Sequence, residues 1–211
     1  MAALNGVVGV LLAGGKSSRM GGGDKCLRPL GGKSILARTI DRLSPQVAEI
    51  VINANGDPSR FADFGIPVVP DGITGFQGPL AGVLAGLEWV KANRPGVEHA
   101  VTIATDTPFF PADLVQRFIE SPGNASGFRI AQSDVGLHPV IGLWPIGLSE
   151  DLESSLKRGE RKVTAWTMDH GAVPVFFAPV DVGSQSIDPF FNINAPEDLA
   201  TAEALLGEAA S

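Results

Sequence analysis

Thiols are almost absent from this chain. Its one cysteine, Cys26, excludes an internal disulfide. Of its three histidines, His99 and His170 stand at no spacing that lets them share a metal. Cations are scarce as well: 16 Lys and Arg stand against 23 Asp and Glu, for a formal charge of -7, and the pI is near 4.9. With aromatics at only 7%, the surface lacks the basic, aromatic-studded footprint of a nucleic-acid binder. Long apolar runs are missing too. Val7 to Ala13 is far short of the roughly 20 residues that span a bilayer, and the N-terminus has no signal-peptide pattern, so a cytoplasmic protein away from membranes is expected. At 44% hydrophobic over 211 residues, the chain can bury roughly 70% of its unfolded surface in one core, without disulfide or metal support.

Against this sparse background, Leu11 to Lys25 (LLAGGKSSRMGGGDK) stands out. It packs an apolar strand end, five glycines and the cations Lys16, Arg19 and Lys25 into one segment. Glycines let backbone N–H groups approach a polyphosphate with no Cβ in the way, and the cations offset its charge. Four of the sixteen Lys and Arg lie between Lys16 and Arg28, so the local sign opposes the global one.

Two common phosphate signatures are absent from these residues. A P-loop needs glycine five positions before the Gly-Lys-Ser glycine, but Gly15-Lys16-Ser17 has Val10 there and Gly32-Lys33-Ser34 has Leu27. The dinucleotide fingerprint G-x-G-x-x-G also fails, because Gly14 and Gly15 are adjacent. The segment instead resembles the signature L-A-G-G-x-S-x-R-M-G-x-x-K of nucleotidyltransferases. With Asp24 before Lys25 it is similar to the molybdenum cofactor guanylyltransferases, the MobA family, although Gly21-Gly22-Gly23 is richer in glycine than most of them. Asn53-Ala54-Asn55, Asp71, Gly78-Pro79-Leu80-Ala81-Gly82, Thr105-Asp106-Thr107-Pro108, His138-Pro139-Val140 and Asn192 to Leu199 (NINAPEDL) continue the likeness in family order over nearly the whole chain.

Short β-branched runs alternate with helical periodicity. Val7 to Leu12, Ile50 to Asn53, Pro67 to Val69, Val101 to Ala104 and Pro139 to Trp144 read as buried strands. Helices are expected at Ser34 to Leu43, Leu80 to Ala92, Pro111 to Glu120, Leu148 to Arg158 and Pro196 to Leu206, with Ser34 as an N-cap. Ser133 to Gly136 reads as a hairpin turn. The alternation implies an α/β fold: a single doubly wound, mostly parallel sheet with helices on both faces. One domain is expected over 1–211, its first part (about 1–110) holding nucleotide and its later part (about 125–200) holding the acceptor.

In an open α/β sheet, ligands lie beyond the carboxyl ends of the strands, so Leu12 to Lys25, Asn53, Asp71 and Asp106 should line one crevice. The resemblance implies their roles. Asp106 would bind Mg²⁺, a hard cation that shares oxygen ligands with phosphates. Lys25 and Arg19, with the backbone of Gly14 and Gly15, would hold the phosphates of GTP. Leu12, Ala13, Asn53, Asp71 and Gly78 would surround the nucleoside, though sequence does not apportion the base contacts among them. Asn192 and Asn194 alternate with Phe191 and Ile193, which on a strand puts both amides on one side. With His138 they are the expected pterin contacts, the competing readings being helix-capping amides and an ordinary loop histidine. Cys26 reads as a packed small residue. The implied reaction moves GMP from GTP to the terminal phosphate of molybdopterin, releasing pyrophosphate; cofactor-synthesis proteins or apo-molybdoenzymes are the implied transient partners. A cytidylyltransferase and a non-catalytic GTP-binding delivery protein stay open as alternatives. A sugar-nucleotide pyrophosphorylase is disfavoured by the absence of a second domain or repeat region.

Overall fold

The strand β1 (Val7–Leu12), of sequence VVGVLL, is buried along nearly its whole length, as a central strand between two helical layers must be. The computed structural model describes residues 6–14, 23–73, 78–123 and 126–209. After β1 come a short antiparallel pair, β2 (Pro29–Leu30) and β3 (Lys33–Ser34), and the helix α1 (Ile35–Leu43). Ser34 caps α1, its hydroxyl accepting the Ala37 amide at 3.1 Å, as its residue type predicts. Next follow β4 (Glu49–Asn53), β5 (Val68–Val69), α2 (Pro79–Asn93), β6 (His99–Ala104) and α3 (Leu114–Glu120). The second half holds the hairpin β7 (Arg129–Ser133) and β8 (Gly136–Pro145), helices α4 (Ser149–Lys157) and α5 (Val163–Asp169), and β9 (Val173–Phe176). A second hairpin, β10 (Val180–Val182) and β11 (Gln185–Ile187), leads to α6 (Pro196–Ala209).

Seven strands form one sheet in the order β5-β4-β1-β6-β8-β7-β9. Only β8 opposes its neighbours, so the sheet is mostly parallel as expected. The pleat of β1 sorts its side chains between two cores. Val7 and Leu11 join α1 and α3 on one face, whereas Val8 and Val10 join α2, α4 and α5 on the other. A smaller cluster of Leu30, Ile35, Phe109, Ile193 and Ala202 ties α6 to the segment after β6. Helix α2 lies so close to the sheet that a Cβ on Gly86 would come within 2.5 Å of Val10, and one on Gly82 within 2.3 Å of Asn53.

Two expectations need correction. The helix expected from Pro111 begins at Leu114, because the buried Gln46 side chain accepts the Val115 amide and donates to the Pro111 carbonyl, holding the preceding turn outside the helix. Phe191 to Asn194 has no regular secondary structure and belongs to no sheet. Ile193 N–H donates to the Asp106 carbonyl at 2.9 Å, which is one bond and not a ladder. The expected alternation of exposure survives there, with Asn192 and Asn194 exposed and Ile193 buried. Helix α5 and strands β2, β3, β7, β9, β10 and β11 are additions, all short enough that periodicity does not mark them.

Candidate active site

The carboxyl ends of β1, β4, β5 and β6 are stitched side by side. Ala13 N–H donates to the Asn53 carbonyl at 2.9 Å, Ala54 N–H to the Val69 carbonyl at 3.0 Å, and the Thr105 hydroxyl to the Leu12 carbonyl at 3.1 Å. Beyond these ends opens a cleft of about 690 Å³. All eight described residues expected to hold nucleotide or metal line it: Leu12, Ala13, Gly14, Lys25, Asn53, Asp71, Gly78 and Asp106. Arg19 and Gly15 lie outside the described residues. Gly78 opens α2 with φ of 138°, a conformation that favours glycine, and so aims the helix N-terminus at the cleft.

One part of the cleft is a fixed carboxylate. Asp71 Oδ1 accepts from Asn53 Nδ2 at 2.9 Å, its Oδ2 accepts from Asn55 Nδ2 at 2.7 Å, and its own N–H donates to Asn55 Oδ1 at 2.9 Å. Asn53 also donates to the Val69 carbonyl at 3.2 Å. Both hydrogens of the buried Asn53 amide are therefore occupied in holding strand ends and Asp71, and what it leaves toward a ligand is Oδ1 alone. Each Asp71 oxygen keeps a further lone pair.

Elsewhere in the same cleft lies a charge cluster. The turn from Ala104 to Thr107 is closed by the Thr107 N–H and hydroxyl, both donating to the Ala104 carbonyl, and it presents Asp106 from a rigid strand end. Lys25 Nζ lies 2.5 Å from Asp106 Oδ2 and donates to Asn194 Oδ1 at 2.8 Å. Asp106 Oδ1 is buried with no hydrogen-bond partner. Asn194 is pinned in turn, its N–H and that of Ala195 donating to Asp198 Oδ2 at the start of α6. Among the described lining residues, the carboxylates Asp24, Asp71 and Asp106 outnumber the cations Lys25 and Arg60. Cys26 is a spectator: burial first, and the Asp24 charge second, push its thiol up to about 11, so it stays protonated at neutral pH and is no nucleophile.

Of the three residues expected to meet a pterin, Asn194 joins the Lys25 cluster 169 positions away in sequence. Asn192 is exposed on the same irregular segment. His138 is on β8 at the carboxyl edge of the sheet, with Nε2 2.8 Å from the Ser133 hydroxyl and its ring 4.6 Å from that of Phe190, two residues before Asn192. Burial lowers its pKa, Asp188 opposing that in part, so the ring is neutral at pH 7. Of the lining residues, Asn55 and Thr105 stood in quoted motifs without an assigned role, and Arg60 was passed over altogether. The i, i+2 spacing of Asn53 and Asn55 was a usable signal for the first. Arg60 sits on an irregular 3-10 run, Pro58–Phe64, that no periodicity marks.

An open, mostly parallel sheet with a charged, nucleotide-sized cleft at its strand ends, holding a strand-end aspartate against a lysine, defines the class: an α/β nucleotidyltransferase. The chain belongs to the MobA-like NTP transferase family, whose domain matches residues 9–173. It is 48% identical over 201 residues to a molybdenum cofactor guanylyltransferase of Bradyrhizobium sp. (strain ORS 278), covering 94% of this chain and 92% of that protein. Its fold is similar to that of molybdopterin-guanine dinucleotide biosynthesis protein A from Archaeoglobus fulgidus, with a TM-score of 0.70 at 20% identity over 95% and 99% of the two chains. A Mycobacterium tuberculosis protein solved with manganese is a more distant fold neighbour, with a TM-score of 0.65 at 14% identity over 95% and 99%.

Proposed function

We propose that this chain transfers GMP from GTP to the terminal phosphate of molybdopterin, giving molybdopterin guanine dinucleotide and pyrophosphate. The observation that supports it best is the pairing, in one cleft, of the clamped Asp71 carboxylate with the Asp106–Lys25 cluster. Guanine presents two adjacent donors, N1–H and the 2-amino group, which match the two free lone pairs of a fixed carboxylate. Cytosine offers a single donor group there, its 4-amino group beside the acceptor N3, and so cannot match both lone pairs. That favours the guanylyl reading over the cytidylyl one.

The acceptor phosphate attacks the α-phosphorus of GTP as the bond to the β-phosphate oxygen breaks, so two anions must meet while charge moves onto the leaving pyrophosphate. Catalysis then rests on alignment and charge. Lys25, now held by Asp106, is placed to turn its ammonium toward phosphate oxygens, and Arg19 adds a second cation. The Gly14 and Gly15 amides and the N-terminus of α2 supply N–H donors. Asp106 is the residue that fits a divalent cation, taken here as Mg²⁺, because its buried Oδ1 has no partner. No cluster of three or more metal-ligating side chains exists among the described residues, which suits an ion that takes most of its oxygens from phosphate and water. Bound there, it would neutralise phosphate charge and polarise the reacting phosphoryl group. Asn192 and His138 mark the acceptor side, with Asn194 where the two substrates meet.

No helix of the described residues is long and apolar enough to cross a membrane; we place the reaction in the cytoplasm, with transient hand-over to cofactor-synthesis proteins or apo-molybdoenzymes. Measuring pyrophosphate release with GTP, CTP and ATP in the presence of molybdopterin tests the proposal. Release with GTP and little with the others is expected. Equal use of CTP, or GTP binding with no release, would replace it by one of the alternatives.

A further inference from the structure

We infer that Arg60 is a positioning residue that couples base reading to phosphate binding in this cleft, an inference that rests on the guanylyltransferase reading. Its guanidinium touches both ends of the site at once. Nε lies 2.8 Å from Asp24 Oδ2, Nη2 donates to the Asn55 carbonyl at 2.5 Å, and Nη1 donates to the Asp57 carbonyl at 3.2 Å. Asp24 precedes Lys25 on the chain, and Asn55 holds Asp71. The group lies over the buried Phe61 ring, 4.8 Å from its centroid, which gives it a firm seat. Both partners of the ion pair are only about a quarter exposed, at 27% and 26%, so this contact is not a loose surface bridge. Two directional hydrogen bonds from one planar fork, made beside an ion pair at close range, are something lysine cannot copy.

Two consequences follow. Asp24 is an acid inside a triphosphate site, and Arg60 cancels its charge; without Arg60 that carboxylate would repel the incoming phosphates. Arg60 also fixes the Asn55 backbone, and through Asn55 the Asp71 carboxylate that meets guanine. Gly56, at φ of 86°, leaves the room this requires, since a Cβ there would lie 3.0 Å from Arg60 Nη1.

The test separates the two ends. Competitive inhibition by inorganic pyrophosphate reads the phosphate end, and the GTP to ITP ratio of kcat/KM reads the carboxylate that meets the 2-amino group. Arg60→Ala should weaken pyrophosphate inhibition about tenfold and lower the nucleotide ratio about tenfold, the size expected when one charge-assisted contact is lost. Adding Asp24→Asn to Arg60→Ala should bring pyrophosphate inhibition back to within about threefold of the parent, because the repelling charge is gone, and leave the nucleotide ratio low. Arg60→Lys should retain pyrophosphate inhibition, since it keeps the charge, and lose the ratio, since it loses the fork. A purely structural role would lower thermal stability and kcat without this split. If Arg60→Ala leaves either readout unchanged, or the double variant restores both together, the coupling is wrong; should Arg60→Ala not fold, an unchanged nucleotide ratio in Arg60→Lys overturns it alone. A parent protein that releases no pyrophosphate from GTP would instead overturn the functional reading on which this rests.

Discussion

Gly82→Ala is a one-carbon perturbation whose effect is legible from the packing of α2. In a helix interior the exchange alone should stabilise by up to about 1 kcal/mol. Here the new Cβ would fall 2.3 Å from Asn53 Oδ1 and 3.1 Å from Leu12 Cδ2, and Asn53 is only 3% exposed with its amide bonded to Val69 and Asp71. The amide must rotate away and surrender both hydrogen bonds. At about 1 kcal/mol each, with a further 1 to 3 kcal/mol or so for crowding a packed interior, the net loss after the helix gain is roughly 2 to 4 kcal/mol. For a chain of this length that lowers Tm by about 4 to 16 °C. Gly86→Ala, one helical turn on, is the control: the three heavy atoms nearest its Cβ, from 2.5 Å, all belong to Val10, which is not a site residue. Both variants should lose stability by scanning calorimetry, but only Gly82→Ala should lose discrimination of GTP over ITP, by about tenfold, because only it loosens the clamp on Asp71. Equal discrimination in the two variants would refute the claim that Asn53 works by holding Asp71.

Asp106→Asn should lower kcat by roughly a hundredfold or more and weaken the response to added divalent cation while the fold survives, because an amide is a poor ligand for a hard cation; near-normal turnover in a magnesium titration would contradict the assignment. Asn194→Asp should weaken pyrophosphate inhibition by giving Lys25 a second anionic partner, whereas Asn192→Asp should leave it within about threefold and act on acceptor use; equal effects in inhibition assays would remove the distinction. The folded His138 pKa lies below its ordinary value, so the neutral ring is favoured by folding. Its contribution is present above pH 6.5 or so and is lost as pH falls toward the lowered pKa. The acid limb of a stability curve below about pH 6.5 should therefore flatten in His138→Gln, and an unchanged limb would place the sensitivity elsewhere.

The fold was largely legible because its informative signals are local. Six short residues of β1, buried on both faces, announce a central parallel strand, and Ser34 announces the start of α1. The crevice followed from topology: residues just after strands must share the carboxyl edge, and the cleft gathers all eight that are described. What remained hidden depends on the chain meeting itself at long range. Asn192 and Asn194 showed their alternation correctly, yet nothing in FNIN says that the segment hangs on Asp106 by one backbone bond or that Asn194 reaches Lys25. The start of α3 was misread because Gln46, 69 positions upstream of Val115, supplies the cap. Arg60 escaped because its role is defined by Asp24 and Asn55 on two other segments.

The central claim is that one cleft at the strand ends holds GTP between Asp71 and the Asp106–Lys25 cluster. A crystal structure with a non-hydrolysable GTP analogue and Mn²⁺, the ion located by its anomalous signal, tests it most directly. The account predicts the guanine N1–H and 2-amino group on the Asp71 carboxylate and the manganese peak at Asp106, with Lys25 on phosphate. A guanine ring turned away from Asp71, or a manganese peak remote from Asp106, would contradict it.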